Sequence, residues 1–147
     1  MTHGPGGNAA QAYLEQEIRS ASPLALVAQV YDIAAQQIAR ARAGLAANDP
    51  AAKGIAVSRA LRAIGHLQAT LDMDRGGDVA RNLDRVYGYW TLRLTEANLH
   101  GDDAAFVEVL RHVRELGSAW REAAQRRQVA AGTVVAETAA AVAGAAR

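Results

Sequence analysis

The stretch Leu71–Asp102, LDMDRGGDVARNLDRVYGYWTLRLTEANLHGD, decides the fold of this chain. Gly76 and Gly77 break it, because glycine alone adopts positive φ without steric cost. After the break, Val79, Leu83, Val86, Trp90, Leu94 and Ala97 recur every three or four residues. That spacing lays one apolar stripe along a helix predicted over Asp78–Leu99. His100-Gly101 closes this helix, and the Asp102 side chain is placed to cap the next.

Three further stripes flank it. Downstream, Phe106, Val109, Leu110, Val113, Leu116 and Trp120 mark a helix in which Gly117 lets a neighbour approach closely. Upstream, Val57, Ala60, Ile64, Leu67 and Leu71 mark one from Pro50 to Leu71. Before that, Leu24, Val27, Tyr31, Ala34, Ile38, Ala41 and Leu45 form a stripe entered at Ser22-Pro23, a cap followed by proline at the first helical position. Asn48-Asp49-Pro50 ends it. Four helices with short connections predict an all-α, antiparallel up-down four-helix bundle over residues 21–127. Residues 1–20 are a Gly-rich leader or cap, and 128–147 form an Ala-rich tail of low complexity, disordered or weakly helical.

Composition narrows the function. The chain has 147 residues, enough for one domain with a real core, and 50% are hydrophobic. Sixteen basic against fifteen acidic residues leave a net charge of +1, so no strong field points to nucleic acid. Cysteine is absent, which removes thiol chemistry and is compatible with a reducing compartment. Neither a long apolar run nor a secretory signal pattern is present, so membrane insertion is not expected and a cytoplasmic location is.

Catalytic and metal chemistry find no constellation. Taking Asp72 as the first position of a calcium loop puts Leu83 at the twelfth, where a bidentate acid is required. His3, His66, His100 and His112 show no i,i+4 pairing. Ser20, Ser22, Ser58 and Ser118 lack an adjacent base, and Gly4-Pro5-Gly6-Gly7 lacks the Lys-Ser/Thr of a phosphate loop. The arginines (Arg81 and Arg85 among them) interleave with acids such as Asp78 and Asp84, as on a solvated face. No catalytic residue, metal or cofactor is expected.

The aromatic residues carry more. Tyr31 and Trp90 lie on their stripes and are expected in the core. Tyr87 and Tyr89 cannot both point inward, and Tyr87, one step past Val86, is expected half-exposed at the stripe edge, as helix-binding grooves are built. Asn82, beside Leu83, is either a surface amide or a polar anchor for a crossing peptide, and Asn98 is expected to cap or tie the loop to Asp102.

These residues also carry a resemblance. Leu71-Asp72, Gly76-Gly77-Asp78-Val79-Ala80, Asn82-Leu83, Val86-Tyr87, Tyr89, and Ala97-Asn98 with Asp102 resemble the pattern of the flagellar secretion chaperone family, FliS. Ala12-Tyr13, Ala21-Ser22-Pro23, Tyr31-Asp32, Glu115-Leu116 and Ala119-Trp120 extend it. Val86, Ala25, Gly117 and Ala10 depart from it. The resemblance implies a cytoplasmic, non-enzymatic chaperone that binds the disordered C-terminal region of flagellin one-to-one. It would prevent premature polymerisation and deliver its client to the type III export apparatus. The partner-binding residues would be Leu24, Val27, Tyr31, Asn82, Leu83, Tyr87 and Trp90. Tyr13 and Ile18 would cap the groove or contact the export gate. The alternative is a helical adaptor or regulator of another flagellar or export protein.

Overall fold

Long-range polar pairs fix how the helices run. A computed structural model describes residues 23–126 and 139–144, with helices α1 (Pro23–Ala46), α2 (Pro50–Ala69), α3 (Met73–His100) and α4 (Asp103–Arg126). Asp32 of α1 meets Arg121 of α4 at 2.5 Å, while Arg42 further along α1 meets Asp103 at the start of α4. Lys53 of α2 donates to the Asn98 carbonyl late in α3, and Gln68 to Asp84 early in it. Each pair joins the beginning of one helix to the end of its neighbour. The bundle is therefore antiparallel, with α1 beside α2 and α4, and α3 beside the same two. Among the described residues there is no strand, and no helix is long and apolar enough to cross a membrane.

The connections follow from local chemistry. Asp49 Oδ1 accepts from Ala52 N at 3.0 Å, with Pro50 in the first turn of α2. Asp102 Oδ1 accepts from Ala105 N at 3.3 Å to cap α4, and Gly101 ends α3 at φ +63°. The two breaks around Leu71 differ from the sequence expectation. Helix α2 stops at Ala69, where the chain tightens: the Leu71 amide donates to the Gln68 carbonyl and the Thr70 hydroxyl to that of Leu67. Helix α3 begins at Met73, because Asp72 Oδ1 accepts from Asp74 N and Arg75 N at 3.2 and 3.0 Å. The Gly-Gly pair is thus a kink inside α3 rather than a loop before it, with Gly77 at φ +54° and ψ −131°. Asn98 also differs from expectation: its backbone carbonyl receives Lys53, joining α3 to α2.

Packing is uneven around α1. A Cβ on Gly44 would lie 2.8 Å from the Lys53 amide nitrogen, and one on Gly117 would lie 3.2 Å from Tyr31 Cβ. Small residues thus let α1 approach both α2 and α4. The central volume is filled by large rings instead: Trp90, Tyr31, Tyr87 and Phe106 are all buried. Beyond α4, residues 139–144 are helical, and Ala139, Val142 and Ala143 join the same buried cluster.

Candidate functional site

At one end of the bundle the four stripes fail to close. The start of α1, the end of α2, the start of α3 and the end of α4 leave a cavity of about 310 Å³ there. Val27, Leu67, Leu71, Val79, Leu83, Tyr87 and Trp120 form apolar walls, while Thr70, Asp72 and Arg75 supply polar groups to the lining. The gap has a local cause. Asp72 and the Gly77 kink turn the first residues of α3 away from the straight line of the helix. Val79, on the core-facing stripe, therefore stays only half-buried. A larger hollow of about 690 Å³ lies along α1 and α4, but Arg42, Arg111, Arg114 and Glu115 line it. Its charged walls suit water better than an apolar ligand, so the end cavity is the better candidate.

Under the cavity lies an aromatic floor. Tyr31 stacks edge-on against Trp90 with ring centroids 6.1 Å apart, and Tyr87 lies 5.7 Å from Trp90. The Tyr31 and Tyr87 hydroxyls meet at 2.6 Å across the bundle, one donating to the other. Burial, then the neighbouring Tyr87, pushes the Tyr31 hydroxyl well above its ordinary range. The Trp120 indole nitrogen, near Tyr31 but outside hydrogen-bonding geometry, offsets this least. Burial likewise pushes Tyr87 up to about 12 against a weaker opposing effect of Tyr31. Both stay protonated at neutral pH, unsuited to act as bases.

The sequence-predicted residues separate into three places. Val27, Leu83 and Tyr87 line the cavity. Tyr31 and Trp90 lie in the core, and Tyr87, expected half-exposed, is 1% exposed because its hydroxyl turns inward to Tyr31. Leu24, like Trp120, packs against Ala119 and Ala123 at the neighbouring edge, and Asn82 is half-buried without lining the cavity. Tyr13 and Ile18 fall outside the described residues. Sequence reasoning missed Leu67, Leu71, Val79 and Trp120 as lining residues. Their signal was present, since each lies on an apolar stripe near a helix end, where stripes diverge.

Tyr89 faces the opposite way and builds a polar seam. Its hydroxyl donates to Glu108 at 2.7 Å, and Arg93 reaches the other carboxylate oxygen at 3.0 Å. Burial raises the Glu108 pKa, but Tyr89 and Arg93 together outweigh it and hold the carboxyl below its usual range. The seam fixes α3 on α4. Among the described residues, no group of three or more His, Asp or Glu is arranged to hold a metal ion.

An open-ended apolar cavity on a helical bundle has the form of sites that receive side chains of a partner segment. Residues 6–127 match the family described as flagellar protein FliS, and the chain belongs to that family. It is 39% identical over 114 residues to the flagellar secretion chaperone FliS of Salmonella typhimurium, covering 77% of this chain and 84% of the relative. It is 34% identical over 110 residues to FliSB of Pseudomonas aeruginosa, covering 75% and 87%. Against FliS of Vibrio cholerae it is 31% identical over 114 residues, covering 75% and 84%. Membership places the chain among flagellar secretion chaperones, which are not enzymes.

Proposed function

We propose that this chaperone holds the disordered C-terminal region of flagellin in the cytoplasm, one client per bundle, and hands it to the flagellar export apparatus. The observation that carries this reading is the end cavity: apolar walls from all four helices, opening on a bundle whose relatives are named as secretion chaperones. Flagellin subunits polymerise through the apolar faces of their terminal helices, so sequestering one such face keeps the subunit single. A disordered segment that folds on binding buries much apolar surface yet loses conformational entropy, which keeps the complex releasable. Val27, Val79, Leu83, Tyr87 and Trp120 would receive its apolar side chains, and Asp72 and Arg75 would orient its polar face. Leu24 and Asn82 extend the contact along the bundle edge. Tyr31 and Trp90 act beneath, by holding the floor in place. Tyr13 and Ile18, in the leader entering α1, would cover the mouth until the client arrives or meet the export gate afterwards.

Calorimetric titration with a peptide of that flagellin region tests this. Saturable one-to-one binding with a strongly negative heat-capacity change is expected. Val79→Asp at the cavity should abolish it, while Leu92→Asp on the exposed face of α3 should not. Equal binding by both variants, or none by the folded wild-type protein, would overturn the assignment. In the second case a regulator of another export protein becomes the reading to pursue.

A further inference from the structure

The C-terminal segment lies beyond the part of the chain that matches the family, yet it is built into the bundle's core. Ala139, Val142 and Ala143 are 0%, 2% and 2% exposed, while Ala140, Ala141 and Gly144 are exposed. Buried positions at i, i+3 and i+4 are one face of a helix. That face joins the cluster containing Tyr31, Leu83, Tyr87 and Trp90. None of the three lines the end cavity, so the segment occupies a second apolar surface.

We propose that this second surface is a helix-docking site of the chaperone, with the C-terminal segment as its resident occupant and a client helix of the same pattern as its exchange partner. The inference rests on the flagellin reading given above. The segment itself shows what the surface accepts: a short helix presenting Ala and Val side chains, which allow close backbone approach. Three small side chains bury little apolar area, so their hold is weak per contact. Tethering compensates, because a segment on the same chain is present at high effective concentration. A client that already fills the end cavity gains the same advantage and displaces the tail. The tail therefore lowers affinity for short apolar segments and leaves extended clients favoured.

The chain contains no cysteine, so Ala140→Cys carries a single fluorescent dye on the exposed side of the segment. Its anisotropy is expected to fall as the flagellin C-terminal peptide is added. Val142→Asp should lower the anisotropy without peptide and tighten peptide binding about tenfold, if the tail is docked about nine-tenths of the time. Ala141→Asp, on the exposed side, should change neither, and Ala139→Gln serves if Val142→Asp disturbs the bundle by circular dichroism. Anisotropy that stays high at peptide saturation, or a freed dye with unchanged affinity, overturns the exchange. Binding by neither form, with the bundle folded, overturns the flagellin reading and the exchange with it.

Discussion

Removing one hydroxyl from the Tyr31–Tyr87 pair should destabilise the bundle more than removing both. The two oxygens lie 2.6 Å apart, and both residues are 1% exposed. Tyr87→Phe leaves the Tyr31 hydroxyl buried without its partner, a penalty of about 1–3 kcal/mol. Only one of the two protons is used in the pair, so the lower part of that range, about 1–2 kcal/mol, applies. Tyr31→Phe should cost a similar amount. The double variant keeps both ring shapes and leaves no polar group stranded, so its cost should be below about 1 kcal/mol. The resulting coupling energy is about −1 to −4 kcal/mol, well outside the scatter of independent sites. Urea unfolding followed by circular dichroism at neutral pH measures each corner of the cycle, with unchanged m-values as the control. Additive single-variant costs would refute the pairing and with it the account of why Tyr87 turns inward.

Alkaline stability follows from the same pair: with a folded pKa of about 12 for Tyr87 against 10 unfolded, the unfolded chain ionises first. Stability is thus intact below pH 10 and is lost as pH rises towards 12, by about 3 kcal/mol for this group. The double Phe variant should show a flatter profile over that window. Gly77→Ala forces a side chain into φ +54°, ψ −131° with open space around it, so a purely backbone cost of about 1–3 kcal/mol should lower the melting temperature. Gly65→Ala, mid-helix in α2 and equally unobstructed, should raise stability by up to about 1 kcal/mol, and any loss would contradict its placement. Leu94→Ala, fully buried and away from the cavity, should cost about 2–5 kcal/mol in unfolding, while peptide affinity of the folded fraction stays unchanged.

The stripes were legible because period alone assigns a helix face. Leu83, Val86, Trp90 and Leu94 are buried as their spacing requires. Caps were legible where chemistry is local: Asp102 and Gly101 act as their positions suggested. Depth was less legible. Tyr87 lies one step off the stripe centre, and only its partner across the bundle decides that it turns inward. Gln37 and His112 are buried, at 7% and 5% exposure, although each lies off its stripe. The cavity was visible only in part, since the patterns that hold Val27 and Leu83 run on unbroken past the place where the helices part. What opens it is an angle between helices, set by Asp72 capping and Gly77 together, and no single residue type encodes an angle.

The kink at Gly77 has a mechanical meaning. Residues Met73–Gly76 are one helical turn joined to α3 by a backbone conformation that the rest of the helix does not share. That turn is held by the Gly76 amide on the Asp72 carbonyl and by the two amides on the Asp72 carboxylate. At about 1 kcal/mol net for each, these three contacts contribute about 3 kcal/mol, against about 5–15 kcal/mol for a folded domain. In the proposed complex, an incoming segment would remodel Asp72–Gly76 while Val86, Trp90 and Leu94 stay seated, so that the opening adapts to its client without loosening the bundle.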